Sequence, residues 1–144
     1  AKTAGATKTI ETNCQNSEFT QQILDETSGD GVDVVLEMSG DHGVVAPAMR
    51  ATRLGGLFVY FGIPSKRIPN DTMTDGLVRG LRTVAVLGRR VPDTWEKTDR
   101  LLQEPHICNK VTQILTHTFS LEDYDKGFSL MERGICGKVL LEVT

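Results

Sequence analysis

The chain has 144 residues, a net charge of -3 and 24% charged residues of mixed sign. That length is one domain's worth and can bury a core, while the charge balance leaves no basic footprint for nucleic acid or an anionic membrane surface. No apolar run approaches a membrane span and the N-terminus lacks the basic-then-apolar layout of a signal peptide, so a cytoplasmic protein is expected.

Ala1 to Ala6 has the character of a last helical turn stopped by Gly5, and Lys8 to Glu11 that of a short strand. Ser17 to Thr27 carries Phe19, Ile23 and Leu24 as a narrow apolar stripe on a polar helix, with Asn16 or Ser17 as cap. The Gly29-Asp30-Gly31 turn then delivers Val32 to Gly40, VDVVLEMSG, around which the rest is organised. Its short apolar, β-branched run predicts a strand buried on both faces, as in a parallel sheet.

His42 to Leu54 is expected to be a helix with Val44, Val45, Ala48, Met49 and Leu54 inward, Pro47 in its first turn and Gly55-Gly56 as its stop. Leu57 to Ile63 is a second strand, ending in Gly62-Ile63-Pro64-Ser65. A polar loop covers Lys66 to Asp71, a short helix or turn Thr72 to Leu81, and a third strand Thr83 to Leu87, which ends at Gly88-Arg89-Arg90. Helix Asp93 to Glu104 starts after Pro92 and stops at Pro105. Last come a strand at Val111 to Phe119, an amphipathic helix at Leu121 to Arg133 capped by Ser120 with Asp123 in its first turn, and a closing strand at Lys138 to Val143. Strands alternating with helices imply an α/β fold with a doubly wound parallel sheet.

Three strands therefore end in small or glycine-bearing turns, at Ser39-Gly40, Gly62-Ile63-Pro64 and Gly88-Arg89. In open parallel sheets ligands bind at the carboxyl ends of strands, where a glycine lets backbone approach a flat or charged ligand. No glycine-rich phosphate loop is present, because Gly29-x-Gly31 precedes a strand instead of following one. Cys14, Cys108 and Cys136 are odd in number and widely spaced, and His42, His106 and His117 are isolated, so no disulfide framework or metal-ligand spacing is written here.

The residues that run EMSG at Glu37 to Gly40, GGLFVYFGIPS at Gly55 to Ser65 and GLRTVAVLGRR at Gly80 to Arg90, the Thr94-Trp95 pair and the stretch Ile114 to Val143 resemble the C-terminal portion of the medium-chain, zinc-dependent alcohol dehydrogenase superfamily. Within it, EMSG and the G-R-x-x-x-x-T-W segment from Gly88 to Trp95 are typical of the branch that acts on L-threonine. A sorbitol or polyol enzyme, or another alcohol dehydrogenase of the superfamily, is the alternative substrate class. A non-catalytic nucleotide-binding or dimerisation module is the alternative of another kind.

The resemblance implies a Rossmann-type sheet lacking its first two strands, with residues 1–110 a partial dinucleotide-binding domain and 111–144 a segment that returns to the catalytic domain. It implies NAD, with Ser39 and Gly40 near the adenosine side, Gly62, Ile63 and Pro64 against the nicotinamide riboside, and Leu87 and Gly88 offering backbone groups to the carboxamide. Lys138 and Arg89 would reach the pyrophosphate as point charges. Zinc and the catalytic residues would belong to a preceding domain, so this stretch by itself is expected to be inactive and to bind no metal. The Leu77–Leu87 sheet edge would pair with a second copy. With the usual order 3-2-1-4-5-6, a two-strand hole would separate Lys8 to Glu11 from Val32 to Leu36. Ala1 to Cys14 is accordingly expected to be detached from the sheet or re-paired.

Overall fold

A computed structural model describes residues 1–11, 17–69, 71–88 and 90–143. Its contacts divide the chain into two units, Ile10–Gly88 and a second made of Ala1–Thr9 with Arg89–Thr144.

The first unit contains α1 (Ser17–Glu26), β1 (Val32–Glu37), α2 (Val45–Ala51), β2 (Thr52–Tyr60), α3 (Asp71–Val78) and β3 (Arg82–Ala85). All pairings are parallel and the strand order is β1-β2-β3, as the alternation of elements predicts. Thr27 turns the chain from α1 into β1. Its hydroxyl donates back to the Ile23 carbonyl at 2.8 Å and accepts from the Gly31 N–H at 3.0 Å. On α2, Val45, Ala48 and Met49 share one helical face and pack on Phe58 of β2, with Phe19, Val35, Tyr60 and Leu81 around them.

Several expectations are corrected here. β1 is not buried on both faces: Val35 and Glu37 face the core, whereas Val34 is 50% and Leu36 56% exposed. Alternate side chains of a strand point to opposite faces, and the packed helices lie on one of them. The helix starts at Val45 instead of His42, because Asp41 folds the preceding residues into a turn, accepting from Gly43 N–H on Oδ1 (2.9 Å) and from Val44 N–H on its carbonyl (3.1 Å). It ends at Ala51, so Leu54 lies on β2 and is 67% exposed instead of inward.

Gly55-Gly56 does not stop a helix. It sits in a bulge of β2, where Val32 pairs with Thr52 but Val34 pairs with Leu57, and Gly55 takes φ 69°. Arg79 clamps that bulge: Nε and Nη2 donate to the Thr52 carbonyl at 2.9 and 2.6 Å, and the Arg79 carbonyl accepts from Gly55 N–H at 2.9 Å. Residues 8–11 form no strand, and the described residues of 1–14 pair with no strand of the sheet. That is the expected detachment, although the strand itself is corrected to irregular chain.

The second unit contains α4 (Asp93–Leu102), α5 (Pro105–Thr112), β4 (Leu115–Ser120), a 3₁₀ turn (Leu121–Asp123), α6 (Tyr124–Glu132) and β5 (Lys138–Glu142), with β4 and β5 parallel. The strand expected from Val111 begins at Leu115 because Pro105, which ends α4, also opens α5, a first-turn position where its missing N–H is harmless. Ser120 flanks the 3₁₀ turn with no side-chain cap bond, and α6 starts only at Tyr124. Asp123 pairs with Lys126 Nζ at 2.9 Å instead. The helix end expected over residues 1–6 is a 3₁₀ turn, Lys2–Ala4, closed by Gly5 at φ 109°. The cap at Asn16 or Ser17 lies outside the described residues and side chains. Among the described residues no helix is long and apolar enough to cross a membrane.

Candidate functional site

Three parallel neighbours bring three strand tips to one rim of one sheet. At the first two the backbones touch. A Cβ on Gly40 would lie 2.6 Å from the Ile63 carbonyl oxygen, and one on Gly62 would fall inside hard contact with the Gly40 nitrogen. Ser65 N–H closes the pair by donating to the Gly40 carbonyl at 3.2 Å. No side chain larger than hydrogen fits between them, which explains both glycines by close approach, and Gly40 also takes φ 69°.

Glu37, the last residue of β1, holds this crossing and is 3% exposed. Its Oε1 accepts from Ser39 N–H (2.7 Å), Ser39 Oγ (2.5 Å) and Gly40 N–H (3.0 Å). Its main-chain carbonyl accepts from Phe61 N–H (2.9 Å) and Gly62 N–H (2.8 Å). Oε2 is buried and has no hydrogen-bond partner.

Of the residues singled out in the sequence, Ser39, Gly40, Gly62, Ile63 and Pro64 thus come together at the β1 and β2 tips, with Ile63 75% exposed. Leu87 and Gly88 follow β3, whose run past the strand stays tied to β2 through Val86 N–H and the Tyr60 carbonyl at 2.8 Å. Arg89 lies outside the described residues. Lys138 opens β5 in the second unit, where its N–H donates to the Ile114 carbonyl at 2.6 Å and its side chain is exposed. Sequence reasoning missed Glu37 as a functional residue. The signal available was an acidic residue two positions after Val35, in the core-facing register.

The space a Cβ would take at Gly40 and Gly62 is filled by the neighbouring backbone, whereas at Gly88 it is open. A larger concavity of about 600 Å³ lies under α3, lined by Met49, Tyr60, Ile68, Met73, Leu77 and Leu81, and none of the tip residues lines it. Burial raises the Tyr60 phenol above its ordinary 10.0. Zinc finds no donor set here: among the described residues no group of three or more His, Cys, Asp or Glu could hold a metal ion.

Comparison with known proteins agrees with the sequence motifs. The family described as zinc-binding dehydrogenase matches residues 1–104, and the chain belongs to that family. It is 35% identical over 142 residues to an L-threonine 3-dehydrogenase of Bacillus velezensis, covering 98% of this chain and 40% of that protein. To the L-threonine 3-dehydrogenase of Alteromonas mediterranea it is 36% identical over 146 residues, covering 99% and 40%. Among solved structures it is similar in fold to benzyl alcohol dehydrogenase from Acinetobacter calcoaceticus, with TM-score 0.80, 21% identity and coverage of 99% of this chain and 39% of that one. It is also similar to 2R,3R-butanediol dehydrogenase from Bacillus subtilis, with TM-score 0.72, 25% identity and coverage of 87% and 35%. The chain spans about 40% of the length of the curated relatives it matches.

Proposed function

We propose that the chain is the C-terminal part of a cytoplasmic, NAD-dependent oxidoreductase that oxidises a secondary alcohol, foremost the 3-hydroxyl of L-threonine. The observation that carries this reading is the backbone contact of the Gly40 and Gly62 tips on adjacent parallel strands, in a chain whose curated relatives are named L-threonine 3-dehydrogenases. Ser39, Gly40, Gly62, Ile63, Pro64, Leu87 and Gly88 form the shelf for the dinucleotide. A nicotinamide held there would supply the hydride acceptor. These residues hold and orient it, with no metal or acid-base group of their own.

Residues 1–110 then serve as part of the dinucleotide-binding domain, and 111–144 return to a catalytic domain that supplies zinc. Alone, the 144 residues turn over no alcohol. Of the expected Leu77–Leu87 edge, Leu77 lies on α3 and Leu87 past the strand, but β3 itself is the last strand of the sheet with Val84 46% exposed, which supports a homo-oligomer formed by sheet extension.

The deciding experiment expresses the complete reading frame and follows NADH formation with L-threonine, sorbitol and simple secondary alcohols. Preference for L-threonine is expected. Oxidation of polyols with indifference to threonine would transfer the assignment to the sorbitol-type branch, and nucleotide binding with no turnover of any alcohol would favour the non-catalytic module.

A further inference from the structure

From the bonds around the β1 tip we infer that Glu37 is a positioning residue for the dinucleotide, one that fixes the shelf and engages four of its N–H groups. The inference rests on the reading above. Four amides stand at the two touching tips, those of Ser39, Gly40, Phe61 and Gly62, and Glu37 takes all four: two on Oε1 and two on its carbonyl. The Ser39 hydroxyl is turned to the same oxygen. An oxyanion such as phosphate is held by converging N–H donors, and here these four converge on Glu37 instead. This part of the shelf therefore presents carbonyl oxygens and Cα hydrogens, which suit the uncharged portion of a dinucleotide: ribose hydroxyls, which donate to carbonyls, and the flat face of a base. Phosphate must be met elsewhere.

The carboxyl is buried, against the one glycine whose Cβ would lie 2.8 Å from its Oε2. What Glu37 supplies is reach. Two methylenes carry Oε1 from the strand end to the amides two and three residues on, and the same group blocks the space beneath Gly62.

Two substitutions separate reach from charge in the protein expressed from the complete reading frame. Glu37→Gln keeps the side-chain length and an acceptor oxygen, while Glu37→Asp keeps the carboxyl but withdraws it by one methylene. Affinity for NADH is measured by fluorescence titration, hydrogen exchange at Ser39 and Gly40 by NMR or mass spectrometry, and folding by urea denaturation without ligand. Glu37→Gln is expected to bind NADH within threefold of the parent with both amides protected. Glu37→Asp is expected to bind at least tenfold more weakly, with faster exchange at both amides and a urea transition that is still cooperative.

Parent-like affinity in Glu37→Asp overturns the inference, as does a tenfold loss in Glu37→Gln, which would make the carboxyl itself and not its reach the operative property. If the parent itself binds no NADH, the reading of the shelf fails, and the inference with it. Should Glu37→Asp not fold, Glu37→Met, which keeps the length without an acceptor oxygen, decides beside Glu37→Gln: tenfold weaker binding in Glu37→Met alone supports positioning by Oε1, and parent-like binding in Glu37→Met or a tenfold loss in Glu37→Gln overturns it.

Discussion

Gly62 lies where two strand ends cross, and its replacement tests that crossing directly. In Gly62→Ala the new methyl overlaps the Gly40 nitrogen and presses on Glu37 Oε2, so either the turn opens or the strands part. Overpacking of this kind costs roughly 1–3 kcal/mol, and the midpoint of urea unfolding should fall accordingly. Gly40→Ala adds a left-handed φ to a similar clash. Gly88, with open space around it, should lose less than either on substitution by Asn, which tolerates positive φ. An equal response at all three positions would mean that the tips do not touch. Tyr60 gives a pH prediction at the same scale. Burial raises its phenol pKa in the folded chain above 10.0, so the unfolded chain loses that proton first. The contribution is fully present below pH 10, declines as pH rises from there through the raised folded value, and is absent from Tyr60→Phe. Stability measured from pH 9 upward should therefore fall more steeply for the parent than for the variant.

The element most dependent on a distant side chain is the bulge of β2. Two donors of one guanidinium meet the Thr52 carbonyl, and the Thr52 hydroxyl is in turn bound to Ala48 at 2.8 Å, so helix end, bulge and α3 are fastened at one residue. Arg79→Ala should cost about 1.5–3 kcal/mol by urea denaturation, the range for hydrogen bonds to charged groups. Arg79→Lys should recover only part, since one ammonium cannot reproduce a two-donor fork. Within the packed layer, Phe58→Ala is expected to lose about 3–5 kcal/mol, whereas Trp95→Ala, at a side chain 58% exposed, should stay within ~0.5 kcal/mol. These contrasts also mark what could be read from the sequence. The three strands and their glycine ends were legible because β-branched runs and φ > 0 leave local traces. The clamp of Arg79 and the anchoring by Glu37 were not, because each depends on which backbone lies beside it, and register is not written in any local pattern. The bulge was misread for a related reason: two adjacent glycines signal a helix stop and a bulge equally well.

At the scale of the molecule, the informative fact is where apolar surface is left. The buried apolar side chains are Val45, Pro47, Ala48, Met49, Ala51 and Phe58, from α2 and the strand it packs on, while Val34 and Leu36 are half exposed on the strand at the sheet's end. In the second unit, among the described residues, Gly127 alone is buried. A parallel sheet is ordinarily covered on both faces, because βαβ connections lay helices on each. If the proposed function is right, the uncovered face of β1 belongs against chain that the 144 residues do not contain, and a double substitution can reveal it. Val34→Ser with Leu36→Ser removes apolar atoms that touch little here, so in the 144-residue chain it should change stability by no more than ~0.5 kcal/mol and reduce binding of an apolar dye such as ANS. In the protein expressed from the complete reading frame the same pair should cost several kcal/mol, since fully burying each such side chain is worth about 1.5–3 kcal/mol. The difference between the two measurements is the covered surface expressed as free energy. Equal costs in both would mean that this face stays in solvent even in the whole protein, and the shelf would then have to work from half of a sheet.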